Sequence, residues 1–202
     1  MSFIHAIKQR WRHRYAALRR GCVMALSTLM AVTPSSLQAQ SMGADNPDAV
    51  EAAFLYNFAK FTTWPSISDL DTSIKFCVQR ETIDPAVFAG WGKKRIHNRP
   101  VRVLFFDSID DASVFDCSIM FLGDIADGTD LGALFQRATE NSTLLVSDMG
   151  GFGSSGGHIE LFIVNRRLRF KVNLDELSKA QLSLGAGVLN LAEIVETEGS
   201  DQ

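Results

Sequence analysis

The chain has 202 residues, a formal charge of −3 and three cysteines. Its basic residues are uneven: Lys8, Arg10, Arg12, Arg14, Arg19 and Arg20 crowd the first twenty positions, where there is no acid. An acidic remainder is a poor fit to nucleic acid or anionic lipid, which excludes the functions that depend on a basic surface.

The basic start is followed by an apolar run from Cys22 to Val32 and by small residues ending at Ala39. Basic, apolar and small-residue regions in that order are expected to be a secretory signal peptide at 1–39, cut after Ala39. The run of about eleven residues is too short for the roughly 20 of a membrane helix. Arg19-Arg20 hints only weakly at twin-arginine export, so the route stays open. The exported part would be 163 residues with a formal charge of −9, the size of one domain. Export leaves Cys77 and Cys117, an even pair in an oxidising compartment, and a disulfide between them is expected.

Residues 40–47 read as a flexible leader, 48–196 as the domain and 197–202 as a frayed tail. Asp48 opens a helix in which Val50, Ala53, Phe54, Asn57, Phe58 and Phe61 share one face, expected to be core, and Pro65 ends it. Trp64, at the exit, is a candidate for a partner-binding surface. Strands are expected at Ile74–Val78, Val101–Phe106, Cys117–Leu122 and Leu144–Val146. Short helices are expected from Asp84 through Trp91 and over Leu131–Thr139. Lys93-Lys94-Arg95 is a basic loop. Asp107 and Asp124 follow strand ends, where a doubly wound sheet has its crevice, or else cap helices. A last helix is expected from Asp175 to about Glu196, with Leu177, Leu184, Val188, Leu191 and Val195 on one face, although Gly185 and Gly187 each cost it about 1 kcal/mol.

The centre of the chain is the stretch from Leu144 to Asn173. Gly151-Phe152-Gly153-Ser154-Ser155-Gly156 has the spacing of a dinucleotide-binding loop, but that motif needs a helix after its glycines. Here Ile159, Leu161 and Ile163 alternate with Glu160, Phe162 and Val164, and after Asn165-Arg166 Leu168, Phe170 and Val172 alternate with Arg169 and Lys171. Two such runs make a β-hairpin. The loop through Gly157 then reads as a flexible connection, lid or partner loop. Phe162, Val164, Arg166, Arg167, Arg169 and Lys171 offer apolar area and positive charge for an acidic partner, or else charges that protect a sheet edge. The fold expected is α/β: a single domain with a mixed, mostly parallel sheet of about six strands, ending in an antiparallel hairpin and flanked by helices.

Catalytic signatures are lacking. His97 and His158 belong to no metal-spaced cluster, and Ser147-Asp148 has no neighbouring His. No catalytic residue, metal ligand or cofactor is assigned.

Three blocks resemble a known family: Ala52 to Pro65 with its Asn57-Phe58-Ala59-Lys60-Phe61-Thr62-Thr63-Trp64 core; Val146-Ser147-Asp148 through His158-Ile159, closed by Arg169-Phe170-Lys171-Val172-Asn173-Leu174; and Leu182 to Ala192. Over about Ala49 to Val195 the chain is similar to the YfiR family of periplasmic regulators. The spacing of Cys77 and Cys117 resembles that family's structural disulfide. The resemblance implies a non-enzymatic role in the periplasm: repression of an inner-membrane diguanylate cyclase through its periplasmic region, relieved by an OmpA-like outer-membrane lipoprotein, with cyclic di-GMP and biofilm as outputs. A homodimer is a further possibility. The chain departs from the family where Gly153 and its neighbours replace a second Cys pair, implying a looser loop, where Gly185 and Gly187 replace a Ser and a basic residue, and where Lys171 replaces a Glu. The competing readings are a periplasmic solute-binding module feeding a sensor kinase, and a nucleotide or small-ligand enzyme built on Gly151–Gly157.

Overall fold

The computed structural model describes residues 46–65, 73–109, 116–123 and 130–198, all within one compact unit. The expected signal peptide, nearly all of the leader, Asp124 and residues 199–202 lie outside the described residues.

Helix α1 (Pro47–Phe61) starts where Asn46 accepts the Ala49 N–H at 3.3 Å and Pro47 fills a first-turn position that needs no donor. Its buried stripe is Glu51, Ala52, Leu55, Phe58 and Ala59. The expected aromatic face is therefore rotated: Phe58 is buried, but Phe61 is exposed and Phe54 sits at the border. Alanines at 52 and 59 let the helix backbone approach the sheet, and that close approach wins over the larger but less complementary aromatic stripe.

After β1 (Thr62–Thr63) come β2 (Ile74–Gln79), β3 (Arg95–Ile96), β4 (Arg99–Phe106), β5 (Ile119–Leu122), α2 (Leu131–Glu140), β6 (Leu144–Ser147), β7 (Ile159–Val164), β8 (Arg167–Asn173), α3 (Leu174–Lys179), β9 (Ser183–Leu184), α4 (Ala186–Leu189) and β10 (Glu193–Val195). The main sheet has eight strands in the order β10-β8-β7-β6-β5-β2-β4-β3. From β4 to β7 all neighbours are parallel, while the β7–β8 and β3–β4 pairs are antiparallel. The mixed sheet and closing hairpin are as expected, with β3 and β10 as two additional short edge strands. The winding reverses between β2 and β5, as in doubly wound folds. At that point the Gln79 side chain accepts the Gly123 N–H at 3.0 Å, and the Thr82 methyl group lies 2.5 Å from where a Cβ on Gly123 would be. The protein's own side chains occupy the crevice entrance there. Asp107 is exposed and accepts a hydrogen bond from Arg80 Nε at 2.7 Å.

Both faces of the sheet are covered, so β5 and β6 read as continuous apolar runs. Ile119, Phe121 and Val146 face a core that includes Leu55, Phe58, Phe76, Trp91 and Phe170. Met120, Leu122 and Leu145 face another with Leu134, Phe152 and the two cysteines.

Two expected helices are corrected. The segment from Asp84 forms two 3₁₀ turns, Pro85–Phe88 and Trp91–Lys93, separated by Gly90 in a left-handed conformation at φ 83°. The last helix is broken into α3, β9, α4 and β10. Gln181 at φ 58° ends α3, β9 pairs antiparallel with β1, and the Gly185 N–H reaches Phe61 O at 2.9 Å. Tertiary backbone pairing replaces helical bonds that two glycines had already weakened.

Candidate partner-binding surface

The β7–β8 hairpin is held at its base by buried polar groups. Glu160, whose side chain is 3% exposed, accepts the Gly153 N–H at 3.1 Å and Lys171 Nζ at 2.9 Å. Asn173 donates to Gly153 O and to Thr197 Oγ1, each at 2.9 Å, and its own oxygen caps α3 by accepting the Glu176 N–H at 3.1 Å. Thr197 and Lys179 both donate to Glu176 Oε1 at 2.8 Å. Burial alone would push the Glu176 carboxyl up, but hydrogen bonds from Lys179 and Thr197 and the nearby positive charges outweigh it, leaving the carboxyl below its ordinary range. His158 Nδ1 accepts the Leu145 N–H at 2.9 Å, so the neutral ring carries its proton on Nε2. Burial pushes its pKa down to about 4, against the upward pull of the Glu176 charge and backbone.

This network corrects two expectations. Thr197 and Glu198 are held rather than frayed, the latter by its N–H on Ser154 O at 2.8 Å. The glycine-rich loop is packed rather than loose. Phe152 is buried against Phe135 with ring centroids 5.6 Å apart, and a Cβ on Gly157 would lie 2.2 Å from the Phe152 ring. The glycines serve close packing, and they lead into strand β7, so no helix N-terminus faces the loop. Lys171 neutralises Glu160 across the ladder.

Beyond the base the hairpin overhangs its sheet. β6 pairs only with Ile159 and Glu160, and β10 only with Lys171, Val172 and Asn173. Leu161–Val164 and Arg167–Phe170 pair only with each other among the described strands. Asn165 and Arg166, at φ 50° and 62°, make the two-residue turn. The register sets Phe162 opposite Arg169, Val164 opposite Arg167 and Glu160 opposite Lys171, so the expected residues share one face. Arg166, Arg167 and Arg169 are exposed, whereas Lys171 is committed to Glu160 and lies 5.3 Å over the Phe162 ring. On the other face Phe170 is fixed by edge contacts to Phe54 and Phe58. Ile163, expected on the core face, is 66% exposed because the strand has outrun the helix that covers its base. Ile163 and Val164 together make an apolar tip that alternation alone assigned to two different roles.

Trp64 does not join this surface. It is half-buried at the opposite end of the parallel strands, donating from Nε1 to Ser118 O at 3.3 Å with its edge against His97. Cys77 and Cys117 form a disulfide with Cα atoms 5.9 Å apart, and both residues are at most 5% exposed. A bridge so enclosed fits a structural role better than exchange with a solvent thiol. Among the described residues no His, Cys, Asp and Glu group is placed to hold a metal ion, and no helix is long and apolar enough to cross a membrane. The buried Glu160 was not singled out from sequence; an acid within an otherwise apolar strand was the available signal.

Winding, core and overhanging strands define a doubly wound α/β domain that displays its last hairpin. A family model described as YfiR/HmsC-like matches residues 48–193, and the chain belongs to that family. It is also similar to the crystal structure of a conserved domain protein from Vibrio cholerae O1 biovar eltor, at 10% identity and a TM-score of 0.45, covering 74% of this chain and 60% of that one. No curated protein matches the chain.

Proposed function

We propose that this chain is a periplasmic, non-enzymatic regulator of cyclic di-GMP signalling. It binds the periplasmic region of an inner-membrane diguanylate cyclase and represses it, and an OmpA-like outer-membrane lipoprotein competes for it. Family membership supports the regulatory role. The observation that carries the contact is the hairpin tip, where Phe162, Val164, Arg167 and Arg169 line one face of two strands that have no other strand neighbours among the described residues. Apolar area bordered by arginines suits a partner surface with an apolar centre and an acidic rim. Such a tip is presented by a rigid base, which limits the ordering cost of binding.

The test is intracellular cyclic di-GMP in a strain lacking the chain, complemented with wild type or with Val164→Asp/Arg167→Glu. A rise that wild type reverses and the variant does not is the expected result. An unchanged level on deletion would redirect the search to a sensor kinase or a bound solute.

A further inference from the structure

A second surface lies at the other end of the sheet. β4 spans eight residues, but β3 pairs only with Arg99 and Pro100. Phe106 turns its carbonyl towards β2, accepting the Arg80 N–H at 2.8 Å, while Val101 turns its N–H the other way, to Lys94 O at 3.2 Å. Strand alternation then aims the main-chain N–H and C=O groups of Val103 and Phe105 at the outer side. No described strand pairs with that side.

The flanks of this edge are apolar. A groove of about 460 Å³ runs between β4 and the 3₁₀ turns, walled by Pro85, Phe88 and Ala89 and floored by Val103 and Phe105. Leu104 is 46% exposed on the opposite face of the strand. A strand laid along β4 would put alternate side chains into the groove and the others beside Leu104.

Charge selects the occupant. Lys93, Lys94, Arg95 and Arg102 are exposed and Arg99 is half-buried, all gathered where β4 begins. None of the five forms an ion pair among the described residues. Lys94 lies 4.8 Å over the Tyr56 ring and Arg95 donates to Asn98 O at 2.8 Å, contacts that orient the side chains without neutralising their charge.

We propose that the outer edge of β4 is a docking site for an extended segment of a partner protein, with alternating apolar residues and Asp or Glu at the end that meets Lys93–Arg102. This surface is separate from the hairpin, and the inference stands whether or not the hairpin contacts a cyclase.

The test uses the purified chain and a fluorescent peptide with a Val-Thr-Val-Thr-Val centre and two Glu residues at each end, beside the same peptide with Lys ends. Binding is read by anisotropy and amide exchange by NMR. The expected result is binding of the Glu-ended peptide alone, slower exchange at Val103 and Phe105, and at least about tenfold weaker binding by Lys93→Glu/Arg102→Glu. The melting temperature of that surface variant should match wild type. The proposal is overturned by equal binding of the Lys-ended peptide, by protection at Ile163–Arg167 instead, or by no binding at millimolar peptide. Protection of Val103 and Phe105 in a dimer without peptide would also overturn it, since the occupant would then be a second copy.

Discussion

The base and the tip of one hairpin share a strand pair and a register, yet they are built for opposite purposes. At the base every polar side chain is tied down: Glu160 to Gly153 and Lys171, Asn173 to Gly153, Thr197 and Glu176. At the tip Ile163 and Val164 stand in solvent among arginines. The difference comes from what each part lies against. Strand β6 pairs with residues 159–160 and the C-terminal strand β10 with residues 171–173, and neither pairing extends further. A rigid root lets exposed apolar side chains be presented without the hairpin collapsing onto the domain.

The largest effect should fall on both parts together. Breaking the Cys77–Cys117 bridge, which spans 40 residues, with Cys77→Ser/Cys117→Ser should cost about 4 kcal/mol. Urea denaturation of the variant against wild type checks this, and reductant should lower the wild-type midpoint towards the variant's.

Acid should act on the base. His158 titrates near 6.5 when unfolded and near 4 in the fold, so the unfolded chain binds more protons between those values. Stability must therefore fall as the pH drops through that window, by about 3 kcal/mol in all. His158→Gln should flatten the slope of stability against pH from 4 to 6.5. An unchanged slope would show that other groups dominate it.

Glu160→Ala should cost about 2 kcal/mol, because Gly153 N–H loses its acceptor while the partly exposed Lys171 can return to water. Faster amide exchange confined to the glycine loop and residues 193–198 would locate the loss at the base. At the tip, Val164→Asp/Arg167→Glu should change stability by no more than about 0.5 kcal/mol while abolishing repression. Loss of stability there would mean that the tip is part of the core after all.

Much of the arrangement was legible locally. The Asn165-Arg166 turn between alternating runs defined the hairpin, and with it the failure of Gly151–Gly156 as a nucleotide loop. The two remaining cysteines defined the bridge. The rotation of α1 was not legible, because aromatic periodicity carries no record of which face can approach a sheet closely. Nor was the β3–β4 turn, where His97 and Asn98 adopt φ 50° and 63° without a glycine. Trp64 looked available because it comes just after the helix, but its indole is engaged by a carbonyl far along the chain.

The sequence by itself determined the elements whose signals are local: alternation, turn residues, the glycine run and the paired cysteines. Tertiary structure alone decided which parts of those elements are covered. It broke the last helix by pairing β9 with β1 and packed the glycine loop under Glu160. It also left the hairpin tip and the outer edge of β4 without strand neighbours among the described residues. Coverage depends on the lengths of neighbouring strands and on contacts between distant residues, and no local pattern encodes either.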